Sequence, residues 1–195
     1  MTTRLSLWAR IVAPFAVALV VVGGLTLVVR AHHNDLTDPN DTRGLLDVRG
    51  VALAHEGRAP TWTVTTFRRW TAREVWDKAY VEVLIDTIRR SPPDYYVLVR
   101  SIRTQLQGSL WRNRAGGPDS YLGPVDVRRP SRRSVRFTLK LWRLDFGRNR
   151  DFYRWSVHTA FTSTRCRRSC HDTAPNGQPL RQWLPGRSPT PTSSG

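Results

Sequence analysis

The stretch YRWSVHTAFT at residues 153–162 decides the class of fold. In it Tyr153, Trp155, Val157, Thr159 and Phe161 alternate with Arg154, Ser156, His158, Ala160 and Thr162. Successive side chains of a strand point to opposite faces, so a period of two predicts a half-buried β-strand and not an amphipathic helix. Working outward, Val135, Phe137 and Leu139 alternate with Arg136, Thr138 and Lys140 in the same way. Val81, Val83 and Ile85 alternate with Glu82, Leu84 and Asp86. Trp62, Val64 and Thr66 begin a further strand, and residues 96–99 read as a strand buried on both faces. Shorter candidates lie at 45–54, 109–111 and 125–127. Clusters rich in Gly, Pro, Asn and Asp separate them, at 55–60, 91–94, 115–119 and 146–149. About eight short strands with such punctuation predict an all-β, jelly-roll-like antiparallel β-sandwich over residues 44–177. The sole helix candidate, 71–78, opens with Thr71 and Glu74 at capping-box spacing.

Ahead of this region, residues 11–29 form one uncharged run, IVAPFAVALVVVGGLTLVV, with Thr26 as its only polar residue. Nineteen helical residues span roughly 28 Å, close to the ~30 Å hydrocarbon core of a bilayer. The run therefore predicts an N-terminal transmembrane helix, with residues 1–10 cytoplasmic. It is longer than the apolar core of an ordinary signal peptide, yet the small residues flanking Arg30 allow cleavage near Ala31. Trp8 lies at the expected interface, and Arg4 and Arg10 precede the run. Residues 30–43 read as a linker, and residues 178–195 as a disordered tail rich in Pro, Ser and Thr.

Cys166 and Cys170 are the only cysteines. A close, even pair behind an export signal predicts a disulfide, which puts the domain outside the cytoplasmic membrane. Cys166, Cys170 and His171 offer too few well-spaced ligands for zinc, and the spacing is not that of a redox Cys-x-x-Cys.

The net charge is +16, and +13 remains after Arg4, Arg10 and Arg30 are set aside. Such a surface suits anionic lipid or an anionic cell-envelope polymer. Arginines beside aromatic rings, as at 67–70 and 153–155, would also suit stacked bases, but an exported chain is not expected to meet nucleic acid.

Asp38, Asp41 and Asp47 cluster with Asp35 in a chain that holds only 15 acids. Hard oxygen donors at such spacing make Asp38, Asp41 and Asp47 candidate calcium ligands, although the EF-hand pattern is absent and turn chemistry also accounts for Asp38 and Asp41. No other cofactor is expected. His158 lies near Ser156 and Thr162, but no Gly-x-Ser-x-Gly, Walker loop or His-Glu-x-x-His occurs. A hydrolase would need His158 paired with a carboxylate such as Asp172. Trp62 and Trp155 read as core, whereas Trp70, Trp76 and Trp142, near strand ends, are candidate platforms for sugar rings.

The order of Asp38-Pro39-Asn40-Asp41, Leu46-Asp47-Val48, the strand at 61–70, the strand at 81–86, Tyr153 to Trp155 and the Cys166 and Cys170 pair resembles that of short exported β-sandwich proteins of actinobacteria. The resemblance spans residues 38–177 and implies a fold similar in outline to carbohydrate-binding sandwich modules, but no activity. The expectation is a non-enzymatic, membrane-tethered or secreted binding or structural module. A carbohydrate-binding module is the first alternative, and an envelope hydrolase the second.

Overall fold

Strand alternation is realised as an all-β, antiparallel structure in a computed structural model that describes residues 34–88, 92–148, 151–163 and 166–187. The eleven strands are β1 (Asn34–Thr37), β2 (Val48–Glu56), β3 (Ala59–Thr66), β4 (Ala79–Asp86), β5 (Tyr95–Ile102), β6 (Gln105–Arg112), β7 (Ser120–Ser131), β8 (Ser134–Thr138), β9 (Phe152–Ser163), β10 (Cys166–Ala174) and β11 (Leu180–Trp183). All eight expected strands are present. The helix candidate shrinks to one turn, α1 (Ala72–Val75), which keeps the expected capping box: Thr71 N–H donates to Glu74 Oε2 at 2.7 Å and Glu74 N–H to Thr71 Oγ1 at 3.3 Å.

The connectivity departs from a jelly-roll-like sandwich. One continuous sheet runs β1-β2-β3-β8-β7-β6-β5-β4-β9-β10, with β11 on β9, and curls nearly into a barrel. From β4 to β8 it is a simple meander. The corner is made by β7, whose first half pairs with β6 up to Val125 and whose second half pairs with β8 from Asp126. Gly108 on β6 permits that bend, because a Cβ there would lie 2.4 Å from Val127 Cγ2 and 2.8 Å from the Val125 carbonyl oxygen.

Three strands fall where none was expected. Strand β1 lies inside the stretch read as a linker, β10 starts at the cysteine pair itself, and β11 lies inside the stretch read as a disordered tail. The short β11 is held by Trp183, whose ring meets Phe152 edge-on at 5.3 Å, with the Arg181 guanidinium over Phe152. Residues 96–99 are buried on one face only, since Tyr95, Val97 and Val99 point inward. Among the described residues no helix is long and apolar enough to cross a membrane. The expectations for residues 1–10, 11–29, the start of the 30–43 stretch and the tail beyond residue 187 lie outside the described residues.

The interior centres on Trp62 of β3. Its ring stacks on Phe137 of β8 at 5.7 Å and meets Tyr153 and Trp155 of β9 edge-on at 6.3 and 6.4 Å. It thereby joins the two halves of the curled sheet through one fully buried side chain. Gly108→Ala is expected to lower unfolding free energy by about 1–3 kcal/mol through overpacking of the bend, read from urea midpoints. Gly117→Ala, with nothing within 4 Å of the added carbon, serves as the unaffected control.

Candidate functional site

The curled sheet brings β10 beside the start of β2, and four aspartates meet there. Asp172 stands opposite Thr159 on the inner face of β9. Its Oδ2 accepts from the Val48 N–H at 2.6 Å and its Oδ1 from the Thr173 N–H at 2.8 Å. Asp38 follows the last residue of β1 and is fixed by its own N–H to the Arg49 carbonyl at 3.0 Å. Asp41 accepts at Oδ2 from Asn176 Nδ2 at 2.9 Å. Thr42 Oγ1 donates to the His171 carbonyl at 3.1 Å, and Thr159 Oγ1 to the Leu46 carbonyl at 2.8 Å. One carboxylate oxygen each of Asp38, Asp41 and Asp172 lies within 4.8 Å of the others.

These acids are short of partners. Asp47 is 0 % exposed and its carboxylate oxygens meet no donor at full hydrogen-bond geometry, the Thr42 N–H only assisting, while Oδ2 of Asp38, which is 7 % exposed, has no hydrogen bond. No arginine or lysine forms an ion pair with the four among the described side chains. Burial, then repulsion from Asp172, Asp41 and Asp47, pushes the Asp38 carboxyl up to about 7. Burial and Asp172 push Asp47 up to about 6, against the smaller opposing effects of the Thr42 N–H and Arg68. Asp172 is also raised, chiefly by burial, although the Val48 and Thr173 N–H groups and His158 work the other way. Asp38, Asp41 and Asp47, the calcium candidates, are thus brought together, and Asp172 joins them from the far end of the chain.

Cys166 and Cys170 form a disulfide with Cα atoms 5.4 Å apart. It closes a bulge at the start of β10, where pairing with β9 shifts register between the two cysteines. Gly44 leaves room for it, since a Cβ there would lie 3.2 Å from Cys170 Cβ. A His158–Asp172 pair does not form. Thr173, not Asp172, is the residue opposite His158, so the two side chains point to opposite faces of the sheet. His158 Nδ1 lies 3.5 Å from Glu82 Oε2 and its ring stacks on His171 at 5.5 Å, while Ser169 Oγ hydrogen-bonds His171 Nε2. The acid and the hydroxyl therefore serve different imidazoles.

The three candidate platforms do not share a surface. Trp70 is 3 % exposed: its Nε1–H donates to Thr66 Oγ1 at 3.1 Å and the Arg129 guanidinium covers its ring at 3.7 Å. It is a core residue, which overturns its reading as a platform. Trp76, 48 % exposed, lies with Tyr80 and Arg100 beside β4 and β5. Trp142, 79 % exposed, stands on a 3-10 turn (Leu141–Arg143) over a groove of about 650 Å³ that also holds Arg128, Arg136 and Lys140. Arg143 pins this turn to β7 by donating to the Leu122 and Pro124 carbonyls, both at 2.8 Å. Around the β7 bend the groove adjoins a second one, sharing Pro124, Val125 and Asp126 with it. That neighbour is lined by Trp111 and Tyr121, 5.3 Å apart and part of an aromatic row unseen in the sequence because it needs strand register, with Trp111 also stacked on Tyr96 at 6.2 Å.

The raised carboxyls set the pH dependence of stability. Groups whose folded pKa exceeds the ordinary 3.8 favour folding fully below about pH 4, and that contribution disappears as pH rises through about 6 to 7. With chelator present, denaturant midpoints are expected to fall across that window, and Asp38→Asn is expected to flatten the fall. No protein-family model, curated protein or solved structure matches this chain.

Proposed function

We propose that this chain is a non-enzymatic, extracytoplasmic binding module, carried to the cell envelope by residues 11–29, that holds an anionic glycan along the strip between Tyr121 and Trp142. Trp142 is the observation that carries this reading. A large ring left 79 % exposed, on a turn that Arg143 fixes in place, forms a pre-set stacking surface at low ordering cost. Arg128, Arg136 and Lys140 beside it supply positive charge, and among the described side chains only Arg128 of the three forms an ion pair, with Asp126 at 3.3 Å. Tyr121 and Trp111 extend the aromatic surface across the bend. The disulfide supports an oxidising compartment. The apolar run favours a tether, with release near Ala31 as the alternative.

Full-length protein is expected to be retained on purified anionic cell-wall polymer at low salt and released as salt screens the basic groups. Trp142→Ala is expected to weaken retention about tenfold, a loss near 1.4 kcal/mol, without changing thermal stability. Equal retention of the variant, or retention on anionic vesicles but not on wall polymer, would overturn the glycan reading.

A further inference from the structure

We infer that the seam between β2 and β10 is a calcium site, with Asp38, Asp41 and Asp172 as carboxylate ligands and Asp47 behind them. Two oxygens on one calcium ion, each about 2.4 Å from it, can lie at most about 4.8 Å apart. Oxygens of Asp38, Asp41 and Asp172 meet that limit as they stand. The second observation is the absence of other partners. Asp38 Oδ2 is buried without a hydrogen bond, and the buried Asp47 carboxylate meets no donor at full hydrogen-bond geometry. Buried polar atoms are almost always satisfied, and a buried carboxylate needs a countercharge or a proton. The chain has 31 basic residues, yet none pairs with these acids among the described side chains.

The donor set selects the metal. All ligands are hard carboxylate oxygens, with no imidazole or thiolate, which suits calcium or magnesium and not zinc or copper. Magnesium demands octahedral ligands at about 2.0–2.1 Å and gives up water reluctantly, whereas calcium accepts irregular sets of six to eight oxygens. The three aspartates come from three separate segments: the end of β1, the connection to β2, and β10. Such a set is irregular by construction. The hydrogen bonds that Asp172 accepts from Val48 and Thr173 orient its carboxylate and leave each oxygen a second lone pair for the ion. Bound there, calcium ties the end of β1 to β10 and neutralises the repulsion within the seam. This site is distinct from the Trp142 groove and does not depend on what that groove binds.

The test is thermal unfolding and calorimetric titration of the full-length chain at pH 7.5 with chelator, calcium chloride or magnesium chloride. Calcium at about 100 times its Kd is expected to raise the folding constant about a hundredfold and Tm by about 5–10 °C. Asp38→Asn is expected to be more stable than wild type in chelator, through relief of repulsion, and to lose the calcium response. Asp41→Asn, on an exposed residue, gives the same readout should the buried variant fail to fold. An unchanged wild-type Tm in calcium, an equal shift with magnesium, or an undiminished calcium shift in both variants would overturn the proposal.

Discussion

The hydrogen bond from the Val48 N–H to Asp172 Oδ2, 2.6 Å long, is the contact on which closure of this sheet depends. A sheet that curls toward a barrel brings two edges together, and buried edge N–H groups must be satisfied. Strand β1 covers one edge of β2 only from Gly50 to Leu53. Two residues earlier Val48 is fully buried; β3 pairs with it at Thr66, but its N–H goes to Asp172 beyond the reach of β1. A carboxylate from β10 answers this need with a charge-assisted bond, stronger than a neutral one. The choice has a consequence. A charge introduced into a closed seam must be neutralised, and the neighbouring Asp38, Asp41 and Asp47 make the demand larger, not smaller. The proposed calcium site is the solution that lets one carboxylate both cap a strand edge and remain ionised.

The bend in β7 obeys a different constraint. Where β7 leaves β6 for β8, the backbone must bend sharply, and Gly108 allows it by offering no side chain to Val125 and Val127. The bend turns the β7 carbonyls of Leu122 and Pro124 toward the 3-10 turn, where Arg143 takes both. Trp142, the residue before Arg143, is then left outside the core. Trp70 meets the opposite fate because Arg129, farther along β7, closes over its ring and takes its carbonyl oxygen at 2.8 Å. Two tryptophans of similar sequence context thus become a core residue and a surface one through the two halves of a single strand.

This contrast marks what the residues alone could reveal. Eight strands were legible, the clearest from apolar–polar alternation, because one face of each meets the core, and the others from short apolar runs between turn clusters. Strand β10 was not: CRRSCHDTA has no such alternation, its inward side is supplied by a disulfide and an aspartate, and its pairing shifts register. Strands β1 and β11 are four residues each, too short to show a period. Within the site, Asp38, Asp41 and Asp47 stood out as a local cluster. Asp172 lies 124 residues beyond Val48, and only the return of β10 to β2 makes it a neighbour. Trp70 was misread for the same reason, since its cover comes from Arg129, 59 residues away. Local chemistry was visible; partners delivered by long-range topology were not.

The distribution of charge links both sites. A surface with a large excess of arginine repels free cations, so a calcium site here cannot rely on long-range attraction. Screening limits that repulsion to about 8 Å at physiological ionic strength, while the carboxylates of the seam act on an ion at contact, where the local dielectric is low. The seam can therefore favour calcium inside a field of the opposite sign. The same separation keeps the carboxylates from neutralising Arg136 and Lys140 in the Trp142 groove, because ion pairs with them would remove the positive charge that an anionic glycan needs. Burying three of the 15 acids, with the exposed Asp41 beside them, gathers these charges away from the groove and leaves it basic. Charge that closes the fold and charge that faces a ligand are held apart by the architecture.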